Sequence, residues 1–133
     1  MDRRRTSHMP SLGRVLVVDD APQVAAAVRD ALVQFGYAVK VARDGSEALG
    51  LVPAFQPDVV LLDITMPVMS GLEVLDHLRR HHAEVPVVMV TANQDEGTAR
   101  GTLARGAFDY IAKPFSLDRL ERVVAAAVSG RRP

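Results

Sequence analysis

Two hydrophobic periods alternate along this chain. Five short runs, RVLVV, YAVKVA, DVVLL, PVVMV and AFDYIA, are rich in valine, isoleucine and aromatic residues. Three of them, RVLVV, DVVLL and PVVMV, are near-continuously apolar, the pattern of parallel strands covered on both faces. YAVKVA alternates, which suits a sheet edge. Between the runs the apolar residues recur at helical spacing. Val24, Val28, Ala31, Leu32 and Phe35 form one stripe, Leu72, Leu75 and Leu78 a second, and Leu117, Leu120, Val124, Ala127 and Val128 a third. Start and stop signals agree. Ser70 with Glu73, and Asp44 with Glu47, have capping-box spacing. Pro22 suits a first helical turn. Gly36 and Gly106 suit helix ends, and Ser129-Gly130 reads as the stop of the last helix.

The alternation predicts a (βα)5 domain, a parallel sheet with helices on both faces joined by right-handed crossovers. In such sheets ligands bind beyond the carboxyl ends of the strands, where the strand order reverses. Polar side chains collect at those ends. The first strand runs into Asp19-Asp20, the third into Asp63, the fourth into Thr91-Ala92 and the fifth into Lys113-Pro114.

Composition narrows the field. The chain has 133 residues, 16 basic and 16 acidic, for zero formal net charge. That balance gives no support for a nucleic-acid or membrane-surface binder. With no cysteine, disulfides and thiolate metal sites are excluded. No apolar run approaches the roughly 20 residues that span a bilayer, and a secretory signal is not visible. The first residues, with three consecutive arginines, and the last, SGRRP, read as solvated tails.

Asp19, Asp20 and Asp63 converge if the first and third strands are neighbours. Three like charges held close repel, which raises some of their pKa values, and a divalent cation relieves the repulsion. Oxygen ligands without His or Cys suit Mg²⁺. The plainer account, helix N-caps, fits one aspartate better than three at two strand ends. Lys113 adds a mobile positive charge and Thr91 a hydroxyl donor. Together these groups describe a phosphoryl site, with Asp63 able to act as a nucleophile and form an aspartyl phosphate.

The order VLVVDD, PDVVLLDITMPVMSG, VVMVTA and GAFDYIAKPF resembles the receiver domain of bacterial response regulators, from about Arg14 to Val128. The resemblance implies a flavodoxin-like fold with strand order 2-1-3-4-5. It implies a tail over 1–12, a receiver domain over 13–129 and a tail over 130–133. Asp63 would accept phosphate from a sensor histidine kinase or phosphotransfer protein. Asp20, Asp63 and the backbone carbonyl of Thr65 would hold Mg²⁺, with Asp19 assisting through water. Thr91, Ala92 and Lys113 would meet the phosphoryl group, and Thr91 and Tyr110 would form the switch. The Lys113-Pro114 bond would be cis. Such a domain catalyses its own phosphorylation and slow dephosphorylation without being a dedicated enzyme. It would work in the cytoplasm, contact neither nucleic acid nor membrane, and meet a target or a second copy through the fourth helix, fifth strand and fifth helix.

Three rivals are weaker. A haloacid-dehalogenase-like phosphohydrolase would carry Asp-x-Asp on its first strand, whereas the nucleophile candidate here follows the third and Thr65 replaces the second aspartate. A dinucleotide-binding module needs a glycine-rich turn that DDAPQV lacks. A degenerate receiver, acting as a phosphate-independent interaction module, would have lost chemical residues that are all present. Thr65 and Asn93, at positions that flank the attacking water in the family, are neither strong bases nor charged. The fourth helical segment, QDEGTARGTLAR, holds Gly97 and Gly101 and only one large apolar residue, Leu103. It is expected to be the least stable helix.

Overall fold

A computed structural model describes residues 11–66, 69–92 and 96–131 of the chain. Strands and helices alternate as the pattern predicts: β1 (Arg14–Val18), α1 (Pro22–Phe35), β2 (Ala38–Ala42), α2 (Gly45–Phe55), β3 (Val59–Asp63), α3 (Gly71–His81), β4 (Val87–Thr91), α4 (Glu96–Ala104), β5 (Asp109–Ala112) and α5 (Leu117–Arg131). All pairings are parallel, and the strand order is β2-β1-β3-β4-β5. The alternating YAVKVA run does occupy an edge, as β2.

Alternation of side chains along each strand divides the core into two layers. Val15, Val17, Val59, Leu61, Val88, Val90 and Ile111 meet α1 and α5 residues such as Leu32, Leu120, Val124 and Ala127. Leu16, Val18, Val60, Leu62, Val87 and Met89 meet α2 and α3 residues such as Ala48, Val52, Val74, Leu75 and Leu78. β3 and β4 are buried at every position, which is why their runs are continuous.

Helix ends follow local chemistry, with three departures. Ser70 and Glu73 form a complete capping box on α3. On α2, Asp44 accepts from the Glu47 amide at 2.8 Å, but the Glu47 carboxylate accepts from the Arg43 amide rather than that of Asp44. Gly36 and Gly106 take left-handed φ values of 110° and 102°, as helix stops do. The end of α2 is instead made by Gln56 at φ 53°. α5 continues through Ser129-Gly130 to Arg131, past the stop read there. At the other end the Leu12 amide donates to the Gly36 carbonyl at 2.9 Å, so the backbone hydrogen bonding reaches back into the segment read as tail. Residues 1–10 and 132–133 of the proposed tails lie outside the described residues.

Candidate functional site

Strand register places the polar side chains in steps along one edge of the sheet. Val18 pairs with Leu62, so Asp19 and Asp63, each one residue further on, stand side by side. Asp63 pairs with Val90 and Thr91 with Ala112, which brings Thr91 and then Lys113 to the same end. The Lys113 amide donates to the Thr91 carbonyl at 2.7 Å. The Lys113-Pro114 peptide bond is cis.

One carboxylate oxygen from each of Asp19, Asp20 and Asp63 lies within 4.8 Å of the others. Asp19 and Asp63 are 5% and 7% exposed, and Asp20 faces solvent. Asp19 Oδ2 accepts from Lys113 Nζ at 3.4 Å, and Asp63 Oδ1 lies 4.0 Å from the same nitrogen. Lys113 thus stands between two buried carboxylates. Asp63 Oδ1 also accepts from the Thr65 amide at 3.3 Å, and Asp19 Oδ1 from the Ala21 amide at 2.9 Å. These aspartates are not ordinary caps: the N-cap of α1 is Ala21, without a side-chain cap bond, and that of α3 is Ser70.

The Asp63 carboxyl is pushed above the usual carboxylate range. Burial is the largest cause; Lys113 pulls the other way, and Asp19 and, more weakly, Asp20 add to the rise. Desolvation therefore outranks the like-charge repulsion that the sequence suggested as the cause. When all four groups are ionised, one ammonium cannot neutralise three carboxylates. The cluster is made of oxygen ligands, one of them open to water, which fits a hard divalent cation such as Mg²⁺.

Thr91 is buried at the end of β4 (3% exposed), and Ala92 beyond it is exposed. Thr65 is exposed on the loop after β3. Asn93 lies outside the described residues. Tyr110 is half-buried on β5, paired with Met89, and packs on the α2/α3 face of the sheet. Its carbonyl accepts from Arg119 Nη2 at 3.1 Å, and Arg119 lies 3.8 Å from Asp109, tying β5 to α5.

Two residues that sequence reasoning passed over shape this edge. A Cβ on Gly71 would sit 2.2 Å from the Asp63 carbonyl oxygen and 2.7 Å from Ile64 Cα. Only glycine lets α3 start this close to the backbone that carries Asp63. The Ser-Gly pair marks a helix start in the sequence, but nothing local shows that the helix starts against Asp63. Phe115, with Val17, Val18, Leu61, Val90 and Leu120, lines a small apolar cavity shared with Asp19, Asp63 and Lys113. It lies outside any strand run, so periodicity does not mark it. A carboxylate in this setting, backed by apolar side chains and faced by an ammonium, can attack an electrophile whose negative charge the cations accept.

The sequence pattern described as "Response regulator receiver domain" matches residues 15–125. Among curated proteins, the chain is 40% identical over 120 residues to the regulatory protein AtoC of Escherichia coli K12, covering 90% of this chain and 26% of AtoC. It is 42% identical over 107 residues to the response regulator MprA of Mycolicibacterium vanbaalenii, covering 80% of this chain and 46% of MprA. The chain thus spans between about a quarter and a half of these relatives. Among solved structures, the receiver domain of the Francisella response regulator 1452 superposes with a TM-score of 0.85 at 32% identity, covering 90% of this chain and 99% of that one. A CheY-like receiver domain protein from Methanospirillum hungatei superposes with a TM-score of 0.84 at 27% identity, covering 91% and 97%. The flavodoxin-like fold and the order of motifs along it agree with these likenesses, and this chain belongs to the response regulator receiver domain family.

Proposed function

We propose that this domain is a phosphorylation-dependent signalling switch whose phosphoacceptor is Asp63. One observation carries the reading: a buried Asp63 carboxylate grouped with two further aspartates and faced by Lys113. Asp63 attacks the phosphorus of a phosphohistidine on a histidine kinase or phosphotransfer protein. An O–P bond forms, the P–N bond breaks, and the electron pair returns to the departing imidazole. Lys113 holds the negative charge of the phosphoryl oxygens, and the Thr91 hydroxyl donates to one of them. Ala92, small and exposed, leaves room for the donor.

Asp20, Asp63 and the backbone carbonyl of Thr65 would hold Mg²⁺, with Asp19 acting through water. When bound, the ion supplies charge neutralisation to the transferred group. Thr65, exposed on the loop after β3, offers a hydrolytic water no strong base, which favours slow self-dephosphorylation. The functional unit is residues 13–129, working in the cytoplasm with no direct contact to nucleic acid or membrane. The face made by α4, β5 and α5 meets an effector, a target or a second copy.

Incubation with acetyl phosphate and Mg²⁺, followed by intact mass measurement, tests the assignment. The wild type is expected to gain one phosphoryl group, and Asp63→Asn or added chelator to abolish the gain. Equal labelling of the variant would remove Asp63 from its role. No labelling of a folded wild type by acetyl phosphate or by a kinase would favour a phosphate-independent interaction module.

A further inference from the structure

The C-terminal half of α3 carries a group of nitrogen bases at the opposite end of the sheet from the carboxylates. His77 and His81 are one helical turn apart, and their ring centroids are 4.4 Å apart at an interplanar angle of 42°. Residues at i and i+4 are neighbours on a helix surface, with Cβ atoms about 5–6 Å apart. The two imidazoles therefore overhang the same patch. Both rings reach solvent, and among the described residues neither is held by a hydrogen bond to a protein group.

We propose that His77 and His81 form a two-point chelate for a late first-row divalent cation of the Zn²⁺, Ni²⁺ or Cu²⁺ class. Imidazole suits these ions, whereas Mg²⁺ takes oxygen ligands. Nearby carboxylates are engaged elsewhere. Glu73 accepts from the Ser70 amide in the capping box, and Asp76 is held by Arg105 through two hydrogen bonds. The ligands are thus two ring nitrogens completed by water. An ion here clips the last turn of α3, next to the short connection into β4. Its ligand chemistry separates it from the all-oxygen cluster of Asp19, Asp20 and Asp63.

Zn²⁺ is titrated into the protein with Mg²⁺ saturating, and the histidine rings are followed by long-range proton–nitrogen NMR. The ring nitrogens of His77 and His81 are expected to shift together and saturate near one equivalent. His77→Ala and His81→Ala should each weaken Zn²⁺ at least about tenfold, because the second ligand acts at high effective concentration only when both are present. Asp63→Asn should leave the affinity unchanged. Zn²⁺ should also raise the thermal midpoint of the wild type but not of His81→Ala, because the unfolded chain lacks the one-turn spacing. Equal Zn²⁺ affinity in the wild type and both histidine variants would overturn the proposal. So would shifts confined to His8 or His82.

Discussion

Asp63 ends a strand whose every residue is buried, and its carboxylate is the one polar group in that run. Because burial raises its pKa above the ordinary value, the folded chain binds this proton more readily than the unfolded chain does. Without a divalent cation, stability should therefore fall as pH rises from the ordinary carboxylate value through the raised one. Asp63→Asn removes that slope. The variant should be more stable than the wild type at neutral pH, with the advantage shrinking as pH falls through the raised value and gone below the ordinary one, where Asp63 is protonated in both states. Urea midpoints across acid pH check this; a constant difference would show that Asp63 is not desolvated. Gly71 makes a second residue-scale prediction. Its missing Cβ would meet backbone atoms, which cannot swing aside as a side chain can. Gly71→Ala should cost about 1–3 kcal/mol or more in chemical denaturation and should also lower phosphorylation, because relief of the clash moves Asp63. Stability loss with full labelling would separate the two effects.

At the scale of the element, α4 differs from its neighbours. Its buried side chains, Ala99 and Thr102, are small, and its one large apolar residue, Leu103, is 41% exposed. Thr102 Oγ1 donates to the Ala99 carbonyl at 2.8 Å, a bond inside the helix that adds no packing. The pair of Arg105 with Asp76 joins the end of α4 to α3, but both partners are over a third exposed, where solvent screening leaves such a pair little effect on stability. The space where Gly101 would carry a Cβ is open. Gly101→Ala should therefore stabilise the domain by about 0.5–1 kcal/mol and slow amide exchange across α4; unchanged exchange would show that helix propensity does not limit it. The glycines of α4 and its single large apolar residue were legible in the sequence. The end of α2 at Gln56 and the overrun of α5 through Gly130 were not, because a left-handed glutamine and a glycine inside a helix contradict local preference.

Over the whole molecule, α4 lies between Thr91, at the proposed phosphoryl site, and Tyr110, on β5. A helix with such small buried side chains in that position suits a population shift in which Thr91 moves toward a bound phosphoryl group, Tyr110 turns inward and α4 settles on β5. Hydrogen exchange with and without beryllofluoride should change most between residues 93 and 110. A segment already as protected as α3 and unresponsive to the mimic would exclude this mechanism even with Asp63 phosphorylated. The elements and their order follow from the sequence itself, because strand and helix periods, caps and turn residues act over a few positions. The candidate residues at the strand ends were visible for the same reason, each standing where an apolar run stops. Their convergence was not local. Asp19 and Lys113 meet across 94 residues because β1 lies beside β3 and β5 beyond β4, an order that came from family resemblance and not from periodicity. Tertiary structure alone decided that burial leads the Asp63 shift, that Gly71 abuts its backbone and that Phe115 lines the cavity beneath. Each depends on contacts between segments whose separation along the chain carries no signal, and desolvation is set by everything packed around a group at once.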